Sequence, residues 1–265
     1  MSVELASGKL LRDEPAERVV RLRINNPQRR GALDHEILDT LAETVGGLDA
    51  RCLVLTGTDP MFSAGYDLGN LEGQEFEQDA ERLVAHPFHA ALEALEAYPY
   101  PVVAQVNGHA IGGGLELALT ADIRIAARGV KLGMPPAKLG LIYSHTGLKK
   151  FLELCGPAHT AELFHLGRNV EADRGAEIGL VNHVVGVGDL EGRTAAMAAE
   201  IAANAPLSLK GNKRILRELR AHAAALPAEV EKELVELRES CFRTEDFLEG
   251  VKAFAEKRAP DWKGS

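Results

Sequence analysis

Ile111-Gly112-Gly113-Gly114-Leu115-Glu116-Leu117 and Phe62-Ser63-Ala64-Gly65-Tyr66-Asp67-Leu68 decide how this chain reads. Each follows a strand-like apolar run, Val102-Val103-Ala104-Gln105-Val106 for the first and Cys52-Leu53-Val54-Leu55-Thr56 for the second. Three glycines followed by Leu115, Leu117, Ala118 and Leu119 read as a turn feeding a helix. Glycine lets a backbone approach a ligand closely, because no Cβ intervenes. The first helical turn offers unpaired N–H groups and positive dipole, which favour an anion. Two such loops suit one developing oxyanion held between two amides. Glu116 lies over Gly112 and Gly113 on the helix, and its side chain leans toward the N-terminus. That places an acid or base beside the amides, as enolate chemistry alpha to a thioester requires. A surface glutamate favoured by the helix dipole is the plainer reading. The apolar neighbours of Glu116 argue instead for burial, where an unused carboxylate is costly.

Working outward, Arg18-Val19-Val20-Arg21-Leu22-Arg23-Ile24 alternates as a strand does. Leu33 to Leu48 has helical spacing, with Asp34 as cap and Gly46-Gly47 as stop. Residues 69 to 82 are polar and acidic and read as a segment near the site that suits a lid. Pro87 to Tyr98 reads as a helix ended by Pro99-Tyr100-Pro101. Strand and helix then alternate to about residue 135, which predicts an α/β core with a buried sheet. After residue 195 only helical patterns remain: 194 to 204, 206 to 225, 227 to 238 and 244 to 257. The division is therefore an α/β core over 1–195 and a helical region over 196–265.

These segments, in this order, resemble the crotonase (enoyl-CoA hydratase/isomerase) superfamily along nearly the whole chain. The likeness also rests on Asn26-Pro27-Gln28-Arg29-Arg30-Gly31-Ala32-Leu33-Asp34, on Ala121-Asp122-Ile123-Arg124-Ile125-Ala126, on Ala176-Glu177-Ile178-Gly179-Leu180-Val181-Asn182-His183-Val184-Val185, and on Phe254-Ala255-Glu256-Lys257-Arg258. The resemblance implies an α/β fold, a spiral of repeated ββα units followed by a helical trimerisation region. It implies an acyl-CoA substrate and no cofactor beyond the coenzyme A of that substrate. It makes the amides of Tyr66 and Gly113 the oxyanion hole and Glu116 the first of two catalytic glutamates. Arg29, Ala32, Ser63 and Ala64 become coenzyme A contacts, and Phe254 and Lys257 reach a neighbour's coenzyme A within a homotrimer or a dimer of trimers.

The chain departs from the hydratases of that superfamily at Met134-Pro135-Pro136-Ala137-Lys138-Leu139-Gly140, where Pro136 stands in place of the second glutamate. Methylmalonyl-CoA decarboxylases share this pattern: the first glutamate, a proline at the second, and a tyrosine at Tyr143. They carry histidine where this chain has Tyr66. Hydration is well served by two carboxylates. Decarboxylation of a malonyl-type thioester needs chiefly the oxyanion hole, because losing CO2 itself creates the enolate. A tyrosine hydroxyl can hold a substrate carboxylate, which makes Tyr143 a candidate clamp. His145 is a further candidate proton donor, although a solvated loop histidine is the ordinary reading. Tyr143 also reads as a core aromatic, and Pro136 as a residue that stops a strand. Three functions follow from these residues: a crotonase-type lyase, most simply a decarboxylase; a hydratase or isomerase using Glu116 alone; and a non-catalytic acyl-CoA binder.

Composition bounds the alternatives. The 265 residues are 46% hydrophobic, enough for a sizeable core, and the net charge of −9 argues against a nucleic-acid partner. Three widely spaced cysteines argue against a disulfide framework or zinc site, and Cys52 reads as a small buried hydrophobe. No apolar run reaches membrane-spanning length, and Met1-Ser2-Val3-Glu4-Leu5-Ala6 lacks a signal pattern, so a reducing cytoplasm is expected. A dinucleotide fingerprint fails because position 117 is leucine, and no Gly-x-Ser-x-Gly elbow, P-loop or His-Glu-x-x-His occurs, so no metal is expected.

Overall fold

The computed structural model describes residues 2–67, 87–222 and 227–263. The expected lid over 69 to 82 lies outside the described residues. The chain begins with β1 (Val3–Leu5), β2 (Leu10–Ala16) and β3 (Val19–Ile24), paired antiparallel in sequence. Helix α1 (His35–Gly46) then packs Ile37, Leu38, Leu41 and Val45 into the core, and Asp34 caps it by accepting from Ile37 N–H at 2.9 Å. That cap satisfies one of the orphan donors of the first turn.

From here the chain spirals. Strand β4 (Cys52–Thr56) joins β3 in parallel, and β5 (Met61–Ser63) founds a second sheet. Helix α2 (Pro87–Ala97) follows. The next turn repeats the plan with β6 (Val102–Val106), β7 (His109–Ile111) and helix α3 (Gly113–Thr120). A third turn begins with β8 (Ile123–Ala127) and β9 (Lys131–Gly133). The first strand of each turn enters a seven-stranded sheet beside the strand of the previous turn, and the second enters a four-stranded sheet. This is the ββα spiral the sequence led us to expect. Strands β4 and β6 are buried at every position, as a sheet covered on both faces requires. Burial pushes the Cys52 thiol up to about 12, consistent with a small buried hydrophobe.

Strand β9 ends at Gly133, and Pro136 opens a single 3-10 turn, Pro136–Leu139, instead of ending the strand itself. Helix α4 (His145–Leu166) breaks at Gly156, whose φ of 70° and ψ of 173° precede Pro157. Its first half places Leu148, Phe151, Leu152 and Cys155 at i, i+3, i+4 and i+7, a helical period whose inner face buries Phe151 and Cys155. Strand β10 (Val170–Glu171), helix α5 (Ala172–Glu177) and β11 (His183–Val185) complete the two sheets. Helix α6 (Leu190–Ala203) packs on β2, β3, β4, β6 and β8. Residue 195, the expected end of the α/β core, thus falls inside a helix that belongs to the core. Leu190, buried at the start of α6, draws the helix four residues further forward than expected.

Helices α7 (Pro206–His222), α8 (Ala228–Cys241) and α9 (Glu245–Ala255) close the chain. Helix α9 packs on the Pro136–Leu139 turn; a Cβ at Gly250 would lie 2.5 Å from the Leu139 carbonyl oxygen. Among the described residues, no helix is long and apolar enough to cross a membrane.

Candidate active site

The two glycine loops meet where β5 and β7 run side by side. A Cβ at Gly65 would lie 2.9 Å from the Ile111 carbonyl oxygen and 3.0 Å from the Gly113 nitrogen. One at Gly114 would lie 2.3 Å from the Ser63 carbonyl oxygen. Only glycine permits these approaches. Gly112 turns the chain with φ 57° and ψ −127°, and its N–H bonds to the Gly133 carbonyl at 2.9 Å.

Tyr66 sits opposite Leu33 in a parallel bridge, where Leu33 N–H donates to Gly65 and Asp67 N–H donates to Leu33. In that pattern the N–H of Tyr66 itself faces away from residue 33. Gly113 opens α3, where the first N–H groups have no intrahelical acceptor. Neither of these two amides has an acceptor among the described residues. The Tyr66 ring lies over Gly113, with ring atoms 3.2–3.4 Å from where a Cβ would stand. It packs edge-on against Phe88 at 4.9 Å.

All eight residues of α3 are buried, and Glu116 is 3% exposed. Its carboxylate accepts a 2.5 Å hydrogen bond from the Tyr143 hydroxyl. The Tyr66 and Tyr143 hydroxyls are close enough to influence each other's proton, so the three side chains form one electrostatic cluster. Burial pushes the Glu116 carboxyl above the usual carboxylate range, and the Tyr143 hydrogen bond partly opposes it. Burial first, and the Glu116 charge second, hold both tyrosine hydroxyls well above their ordinary range. Burial thus biases all three groups toward their neutral forms. Tyr143→Phe removes the hydrogen bond that holds Glu116 down. Its carboxyl should then titrate at higher pH than in the wild type, read by NMR of labelled glutamate. An unchanged or lower midpoint would count against the Tyr143–Glu116 hydrogen bond.

The structure thus alters one expectation. Tyr143 donates its hydroxyl proton to Glu116, so to clamp a substrate carboxylate it would have to exchange that bond. His145 also differs from the expected loop histidine: it opens α4 behind the Ser144 cap, and its Nε2 lies 3.3 Å from a Glu231 carboxylate oxygen.

Two cavities meet at Glu116. One, about 220 Å³, is lined by Tyr66, Phe88, Leu92, His145, Val235 and Arg238. The other, about 380 Å³, is lined by charged side chains, most of them paired: Lys150 with Glu96, Lys213 with Asp122 at 2.8 Å, and Arg220 with Glu153 at 2.9 Å. Sequence reasoning missed Glu231, Val235 and Arg238. They recur at i, i+4 and i+7 on α8, so a common face was legible, but not what it faces.

The remaining expected residues divide. The Ser63 hydroxyl is buried; it donates to the Gly31 carbonyl at 2.7 Å and accepts from Gly65 N–H at 3.1 Å, tying the two loops together. Ala64 N–H donates to Arg30 O, and Ala32 is buried beside it. Arg29 grips Asp67 with two hydrogen bonds, at 2.6 and 3.1 Å. Phe254, 72% exposed, and Lys257, just beyond α9, line neither cavity at Glu116. Among the described residues, no cluster of His, Cys, Asp or Glu is arranged to hold a metal.

Comparison with known proteins agrees with this geometry. The chain is 35% identical over 253 residues to the Bacillus subtilis protein YngF, which is named as an enoyl-CoA hydratase/isomerase, covering 94% of this chain and 95% of that one. It is 34% identical over 223 residues to a carnitinyl-CoA dehydratase of Salmonella typhi, covering 82% of each. Among solved structures, methylmalonyl-CoA decarboxylase in complex with 2S-carboxypropyl-CoA superposes with a TM-score of 0.88 at 27% identity over the full length of both chains. The enoyl-CoA hydratase/isomerase family profile matches residues 14–265, and the chain belongs to that family, the crotonase superfamily of acyl-CoA enzymes.

Proposed function

We propose that the protein is an acyl-CoA lyase that decarboxylates a malonyl-type thioester. The observation that carries this reading is the buried Glu116 beside two amides that have no acceptor among the described residues. The thioester carbonyl oxygen accepts hydrogen bonds from Tyr66 N–H and Gly113 N–H, which act as the oxyanion hole. The bond from Cα to the carboxylate breaks, its electron pair becomes the enolate, and CO2 leaves. Glu116 delivers its proton to Cα and regains one from solvent. At the hydratases' second glutamate stands Pro136, buried at the start of its turn, so no acid from that segment faces the substrate. The decarboxylase among the structural neighbours supports this chemistry.

The loops carrying Arg29, Ala32, Ser63 and Ala64 hold the coenzyme A. Leu207, Ile215, Leu216 and Leu219, all exposed on α7, provide the apolar surface a trimer would cover. In that trimer Phe254 and Lys257 reach the neighbour's coenzyme A.

Hydration or isomerisation by Glu116 alone is the second reading, favoured by the names of the relatives in sequence. A paired assay separates the two. CO2 release is followed from malonyl-, methylmalonyl- and ethylmalonyl-CoA, and hydration from crotonyl-CoA. Release without hydration is expected; hydration without release would overturn the proposal.

A further inference from the structure

We infer that Arg238 anchors a carboxylate on the acyl group, so that the site selects carboxylated thioesters over plain acyl ones. The inference deepens the proposed function and rests on its placement of the acyl group beside Glu116. Arg238 is half-buried on α8 and lines the smaller cavity together with Tyr66 and Glu116. Its field reaches both of them. Among the described residues no carboxylate pairs with it. Its guanidinium lies over the Phe242 ring at 5.6 Å, and Phe242 is itself buried against Phe247. An aromatic ring thus supports the cation from one side.

The other acids of the cavity have hydrogen-bonding or ion-pair partners of their own. Glu231 pairs with His145, and Glu116 accepts from Tyr143. The same cavity has an apolar share of its lining, from Phe88, Leu92 and Val235. An anion-binding fork in a partly apolar cavity suits an acyl group that carries a carboxylate and a short alkyl branch on one carbon. Arginine meets a carboxylate through two parallel hydrogen bonds, which gives specificity as well as strength. As CO2 forms, charge leaves the carboxylate, so a guanidinium bonded to it stabilises bound substrate more than transition state. Its contribution is to the choice of substrate.

The test is calorimetric and needs no turnover. The probes are 2-carboxypropyl-CoA, a thioether that cannot form an enolate, and propyl-CoA, which lacks only the branch carboxylate carbon. The wild type should prefer the carboxylated probe by about tenfold or more, about 1.4 kcal/mol. Arg238→Met should abolish that preference while propyl-CoA binds as before. Arg238→Lys should keep part of it, and it carries the comparison where Arg238→Met fails to fold. A preference that survives in Arg238→Met, or none in the wild type, would overturn the inference. The two proposals fail separately. No CO2 release with the preference intact sinks decarboxylation and leaves the anchor, and the reverse outcome sinks only the anchor.

Discussion

Replacing Glu116 with glutamine should make the protein a worse enzyme and a more stable fold. Activity should fall by about a hundredfold or more, the scale of a positioned proton donor. Stability moves the other way because burial raises the carboxyl above its unfolded value. A group raised in this way supports the fold at low pH, where it is neutral in both states. That support is lost as pH rises through the folded value, because the native state must then hold a buried charge. Glutamine never ionises, and its carbonyl can still accept from Tyr143. Denaturant titrations near about pH 4 and near about pH 8 should therefore show little difference at the lower pH and an advantage for Glu116→Gln at the higher. If the two proteins track each other at both, the carboxyl is not held up by burial. If activity falls less than tenfold, Glu116 is not the donor.

The second large effect is structural. Gly114→Ala places a Cβ 2.3 Å from the Ser63 carbonyl oxygen, and that oxygen belongs to β5 and cannot swing aside. The two loops must part. Overpacking a tight contact costs about 1–3 kcal/mol or more. Separating the loops also spreads the amides of Tyr66 and Gly113, and losing one oxyanion donor costs about 10²- to 10³-fold in rate. Thermal denaturation and steady-state kinetics on Gly114→Ala should show both losses. Gly192→Ala is the control: that glycine lies within α6, nothing stands within 4 Å of an added Cβ, and helix propensity alone should favour the alanine. Wild-type kinetics from Gly114→Ala would mean that loop contact does not set the amides.

What could be read from the chain was what is local. The run Cys52–Thr56 is a strand at those residues, and Asp34 caps α1, because apolar patterning and capping act within a few positions. The two glycine loops were legible for the same reason. What depends on distant partners was not. Tyr143 is 27 residues from Glu116, and nothing in either segment says that its hydroxyl will reach that carboxylate. Arg238 sits on a helix whose amphipathic face is plain but whose neighbour is not. Gly156 and Pro157 break α4 in its middle, yet the chain resumes the helix beyond them, a continuation that local signals do not announce. The early start of α6 follows from the sheet it covers.

The spacing of the two free amides has its origin in the winding of the chain. One belongs to the loop after β5 and the other to the loop after β7, the same point on successive turns of the spiral. Their separation is therefore a lattice constant of the fold, fixed by strand pairing and not by either loop alone. Such a constant resists drift: a residue added to one loop breaks the register of a whole turn. The side chains at 66, 116 and 238, which line the smaller cavity, carry no such constraint. One fold can thus keep a fixed grip on a thioester while these few side chains are exchanged to decide what happens to the carbon beside it.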